Sequence, residues 1–166
     1  MSMATVNKHG ATNPAKGSAL SDLPCFLLYV GWRKAQEFYK PLLAEAGSPQ
    51  RMYVLTLLSE RDGLSIGELA AELDVDSPTM SGLVARMEKA GHVERRPSSE
   101  SRRAVAVTLT KPGRKLFDKL HGEIEAADTA ILEMLRKGDV AALRRIVAAF
   151  GAMRDHEAAL KTKGSR

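Results

Sequence analysis

The chain has 166 residues, with 25 lysines and arginines against 20 acids, for a formal net charge of +5 at pH 7. That length is enough for one domain burying roughly 70% of its unfolded surface, and a single cysteine, Cys25, excludes an internal disulfide and points to a reducing compartment. No apolar run has the length of a signal-peptide core or a membrane span, so a cytoplasmic location is expected.

In chain order, residues 1–19 are small and polar and read as a disordered tail. A first helix is expected from Pro24 to Glu45, carrying Phe26, Leu27, Val30, Phe38, Leu42 and Leu43, with Ser21 or Asp22 as its cap. Cys25 then falls in the first turn. There the positive end of the helix dipole favours a thiolate, although a free cysteine also serves as a small buried hydrophobe. A shorter helix follows from Pro49 to Glu60. Ser65 and Glu68 have the spacing of a capping box, so a third helix begins at Ile66 and buries Ile66, Leu69, Ala70 and Leu73. It ends near Asp74. The next starts at Ser77-Pro78, with Ser77 as cap and Pro78 in the first helical position, and buries Met80, Leu83, Val84 and Met87. A connection of only Asp74, Val75 and Asp76 is the short turn of a helix-turn-helix.

Gly91 stops that helix. Val93 to Arg96 and Ala104 to Leu109, joined by Pro97 to Arg103, then read as a β-hairpin. From Arg86 to Lys115 nine cations face three acids, a local excess larger than that of the whole chain. Such a patch supplies the phosphate neutralisation on which DNA affinity depends. Ser77, Thr79, Met80 and Ser81 at the start of the second helix, with Arg86, Arg95, Arg96, Arg102 and Arg103, form the expected DNA-contacting set.

Thr110 can cap a helix running to about Leu135 along Leu116, Phe117, Leu120, Ile124, Ala127 and Ile131. After Gly138-Asp139 a last helix reaches about Leu160, presenting Val140, Leu143, Ile146, Val147, Phe150 and Met153, and residues 161–166 form a basic tail. These terminal stripes are more apolar than so small a central unit can cover, so they are expected to pack across a two-fold axis. The fold class is therefore mostly α with a small β-hairpin: one domain over 20–160, a winged helix-turn-helix at 49–110 between dimerisation helices at 22–46 and 111–160. Catalysis finds no support. His9, His92, His121 and His156 lack metal-ligand spacing, and nucleophile elbow, phosphate loop and dinucleotide fingerprint are all absent from the sequence, so neither cofactor nor metal is expected.

Residues Leu64 to Arg96, followed by Ser101-Arg-Arg-Ala-Val-Ala-Val-Thr-Leu-Thr110, resemble the MarR family of bacterial transcriptional regulators. That resemblance implies a homodimer joined through the terminal helices, two winged units on a pseudo-palindromic duplex, and an Asp-x-Arg wing whose aspartate orients the groove-entering arginine. Here Ser101 stands at the aspartate position beside Arg103. Pro24-Cys-Phe-Leu-Leu-Tyr29, Arg33 and Tyr39-Lys-Pro-Leu-Leu43 are in turn similar to the organic hydroperoxide resistance branch. There a cysteine at the Cys25 position is oxidised, a tyrosine at the Tyr39 position binds its sulfur, and DNA is released. A separation of 14 residues along a helix is about 21 Å, so this contact would have to come from the other subunit. A second tyrosine of that branch is replaced by Gln50.

The expected function is thus a dimeric DNA-binding repressor released by oxidation of Cys25 or by a small inducer. Two alternatives stand beside it. One is a regulator that senses only a small aromatic or anionic metabolite through Tyr29, Trp32, Arg33 and Tyr53, with Cys25 structural; the other is a winged-helix module that binds protein and not DNA.

Overall fold

The computed structural model describes residues 20, 22–97 and 105–163, the last ten of these as backbone alone. Its elements run α1 (Pro24–Tyr39), α2 (Pro49–Glu60), β1 (Leu64–Ser65), α3 (Ile66–Glu72), α4 (Ser77–Lys89), β2 (Val93–Pro97), β3 (Val105–Leu109), α5 (Lys111–Met134) and α6 (Asp139–Lys163). They divide into two compact units, one spanning Phe38–Lys137 and the other joining the residues up to Glu37 with those from Gly138. The split puts α5, which the sequence groups with the dimerisation helices, in one unit with the winged elements. The reason is packing: Leu120 is buried in the core, and Leu116, Phe117 and Ile124 lie against it.

Within the larger unit, Ser48 caps α2 by accepting from the Arg51 N–H, and Met52, Val54, Leu55 and Leu58 bury that helix at the centre. To these the core adds Met80, Leu83, Val84 and Met87 of α4, the stripe expected from their spacing, and Leu69 and Ala70 of α3, whose expected stripe mates Ile66 and Leu73 are only partly buried against it. Helix α1 stops at Tyr39, short of the expected Glu45. Pro41 has no N–H and disfavours helical backbone before it, so the chain passes into turns that carry Leu43 and Ala46 to the core. Lys119 of α5 pairs with Glu45 of this turn segment at 2.5 Å, which holds the ammonium pKa above its usual value.

The sheet has the order β1-β3-β2 and is antiparallel throughout, with Leu64 opposite Val107 and Arg95 opposite the same residue on the other side. Strand β1 went unanticipated because two residues carry no periodicity. The sheet is clamped to α5 at one point. Thr110 caps α5 by accepting from Gly113 N–H at 3.1 Å, donates its hydroxyl to the Gly91 carbonyl, and gives its backbone N–H to the His92 carbonyl at 3.2 Å.

Among the described residues the smaller unit has no equivalent core. None of the α1 side chains is buried, and Leu143, Ile146, Val147, Phe150 and Met153 of α6 are exposed. Between α1 and α6 lies an apolar groove of about 590 Å³ lined by Leu27, Leu28, Trp32, Leu143, Ile146 and Val147, among others. Among the described residues no helix is long and apolar enough to cross a membrane.

Candidate nucleic-acid interface

The helix-turn-helix is set by local hydrogen bonds. Ser65 Oγ accepts from the Glu68 N–H while the Glu68 carboxylate accepts from the Ser65 N–H at 2.8 Å, a complete capping box. The Ser65 hydroxyl also donates to that carboxylate at 2.7 Å, and this bond first, then the one from the Ser65 N–H, stabilises the ionised form and holds the Glu68 pKa below its usual value. At the other end of α3, Asp74 adopts φ +49. Val75 N–H then reaches the Ala70 carbonyl at 3.0 Å and Asp74 N–H the Ala71 carbonyl at 3.3 Å, a Schellman stop, with Val75 packed on the core.

Asp76 then starts α4. Its carboxylate accepts from the Thr79 N–H at 2.7 Å and from the Thr79 hydroxyl at 2.9 Å, which depresses its pKa. This corrects the expected start: Asp76 is the cap, Ser77 is the first helical residue and Pro78 the second. Both Asp and Ser make good caps, so composition alone left the choice open by one residue. Helix α4 ends in a second Schellman stop, where Gly91 takes φ +74 and His92 N–H bonds the Met87 carbonyl at 3.0 Å.

On α4 the solvent face carries Ser77, Thr79, Ser81, Arg86 and Lys89, all exposed. Met80 does not belong with them. It is 1% exposed and points into the core, because it lies three, four and seven residues before Leu83, Val84 and Met87 and so shares their buried stripe. Of the wing cations, Arg95 and Arg96 are both exposed; Arg96 pairs with Glu94, whereas the Arg95 guanidinium turns to α4. Ser101, Arg102 and Arg103 lie outside the described residues. Among the described residues no cluster of His, Cys, Asp and Glu could hold a metal ion.

The residues singled out for sensing are spread over the molecule. Cys25 is exposed in the first turn of α1. Tyr39, the last residue of α1, falls in the larger unit and donates its hydroxyl to the Asp128 carboxylate. Burial first, and then the hydrogen bond and negative charge of Asp128, push the Tyr39 pKa up to about 12. Tyr53 on α2 is also raised, by burial and by the same carboxylate. Sequence reasoning missed Asp128, since it is one more acid on a helix with a polar outer face. On α1, Trp32 lines the apolar groove, Tyr29 meets Phe26 at a ring-centroid distance of 6.5 Å, and Arg33 pairs with Glu37 at 3.4 Å.

Residues 48–105 match the MarR family. The chain is 36% identical over 96 residues to the organic hydroperoxide resistance transcriptional regulator of Bacillus subtilis, covering 57% of this chain and 65% of that one. It is 30% identical over 118 residues to the HTH-type transcriptional regulator FarR of Neisseria gonorrhoeae, covering 70% and 81%. Among solved structures, NadR in complex with 4-hydroxyphenylacetate matches with a TM-score of 0.60 at 27% identity, over 89% of this chain and 97% of the other. The capped α3-turn-α4 pair and its adjoining hairpin, taken with these relatives, define a winged helix-turn-helix transcriptional regulator. The chain belongs to the MarR family.

Proposed function

We propose that this chain is a homodimeric, cytoplasmic repressor that binds a pseudo-palindromic duplex and releases it when Cys25 is oxidised. The observation that carries the DNA-binding part is the solvent face of α4. Ser77, Thr79 and Ser81 are small donors at the N-terminal end of an exposed helix, with Arg86 and Lys89 farther along and Arg96 on the adjoining strand. That arrangement suits a helix lying in the major groove with its N-terminal residues at base edges and its cations at phosphates. Arg102 and Arg103, which the sequence places in the same basic stretch, would extend the contact.

The homodimer is supported by the smaller unit. An apolar groove and a row of exposed α6 hydrophobics are too large a liability for a monomer, and the groove residues named above offer an anion no partner. A second copy covers such a surface at no cost in unpaired polar groups.

For the signal, the exposed position of Cys25 and the similarity to a hydroperoxide resistance regulator support oxidation. The thiolate would attack the O–O bond of an organic hydroperoxide, giving a sulfenic acid on the protein and an alcohol as leaving group. A second reading, release by a small aromatic acid, draws on the phenolic acid held by NadR. Cys25→Ser separates them in a gel shift on a duplex enriched from a random library. Cumene hydroperoxide is expected to release the wild-type protein and to leave the variant bound. If the variant is released as readily, the redox reading is wrong; release of both proteins by 4-hydroxyphenylacetate would favour the second.

A further inference from the structure

Arg95 leaves β2 on the strand that leads into the basic hairpin, yet its guanidinium turns back onto α4. Nη2 donates to the Ser81 carbonyl at 3.4 Å, and Nη1 lies 3.6 Å from the Glu88 carboxylate. Ser81 and Glu88 are two helical turns apart, so the guanidinium lies along one face of α4. The Arg95 side chain is 34% exposed, against 64% for its neighbour Arg96. Arg95 and Arg96 therefore differ in kind, although both are wing-strand cations in a basic stretch.

We propose that Arg95 is a positioning residue, which ties the wing strand to the recognition helix and so sets the spacing at which hairpin and helix meet the duplex. It is not a phosphate contact. This inference rests on the DNA-binding reading above. Its chemistry depends on the fork: a planar guanidinium offers two separate nitrogens to a carbonyl and a carboxylate, whereas a lysine ammonium has all three of its donors on one nitrogen and lacks that spread. A phosphate contact makes the opposite demand, because a phosphate accepts a lysine readily.

The test uses the full chain with two duplexes of equal length, one enriched from a random library by the wild-type protein and one of random sequence. Affinity for each is measured across a salt series for Arg95→Lys, Arg95→Ala and Glu88→Gln. Arg95→Lys is expected to keep the salt slope and the random-duplex affinity but to lose about fivefold in preference for the enriched duplex. Glu88→Gln, which leaves Arg95 charged, is expected to lose preference as well. Arg95→Ala should lower preference with no change in slope. If Arg95→Ala instead lowers the slope by about 0.9 per protomer while Arg95→Lys matches wild type, Arg95 is a phosphate contact and the inference is overturned. A lowered melting temperature with unchanged preference also overturns it, leaving Arg95 merely structural. Should Arg95→Ala fail to fold, Arg95→Lys and Glu88→Gln carry the decision. A wild-type protein with no salt-dependent binding to either duplex defeats the DNA-binding reading itself, a result distinct from the others.

Discussion

Gly113 shows how much a single backbone position can decide. A Cβ added there would overlap the His92 carbonyl, at the point where Thr110 clamps the start of α5 to the turn after α4. The obstacle is backbone and cannot swing aside as a side chain would. Gly113→Ala is therefore expected to cost about 2 kcal/mol or more, read as a lowered midpoint in urea unfolding. The Thr110 cap was legible from sequence, since a threonine before Lys-Pro-Gly marks a helix start. The need for glycine three residues later was not, because the atom it avoids belongs to a different element. Arg95 repeats the lesson at the interface: residue type placed it among the DNA contacts, but its guanidinium, though exposed, turns to a carbonyl and a carboxylate on α4. Met80 was legible, because its spacing from Leu83, Val84 and Met87 put it on the buried stripe and so against its place among the DNA contacts.

At the scale of elements, the helix-turn-helix owes its sharp geometry to consecutive stop and start signals: Asp74 in the left-handed region, Val75 on the core, Asp76 as cap. The Asp76 carboxylate accepts two hydrogen bonds, so its pKa in the folded state lies below that of the unfolded chain. A depressed carboxylate contributes stability that is present above the unfolded pKa and is lost as pH falls through the folded one. Thermal midpoints measured from neutral to acid pH are expected to show this. Asp76→Asn keeps an acceptor for the Thr79 N–H and should flatten part of the acid loss, whereas Asp76→Ala should lower the midpoint at neutral pH. No flattening for the asparagine variant would mean that the cap does not titrate with the fold. Boundaries of the other elements followed similar local rules. The exception was α1, whose apolar periodicity continues past Tyr39 although Pro41 ends the regular helix.

For the whole molecule, the two units differ in how far one chain completes them. The larger has buried side chains from every helix between α2 and α5, while the smaller exposes its apolar residues on both α1 and α6. The proposed dimer predicts that Ile146→Glu, which sets a charge in the groove wall, shifts the protein to monomers in sedimentation and lowers operator affinity with them. Arg103→Ala is expected to weaken DNA binding and leave sedimentation unchanged. If Arg103→Ala dissociates the dimer, or Ile146→Glu does not, the division of labour between wing and terminal helices is wrong.

Amphipathic spacing, caps and the charge between Arg86 and Lys115 were enough to specify the helix-turn-helix and its hairpin, and the run from Leu64 to Thr110 carried the resemblance to the family, because each depends on residues near one another in the chain. Tertiary structure alone decided which wing cation turns to α4, that α5 packs on the core of the larger unit, that Tyr39 gives its hydroxyl to Asp128, and that a two-residue strand completes the sheet. Those outcomes depend on atoms of separate elements brought together by the fold, where a sequence records the residue types but not the distances between them.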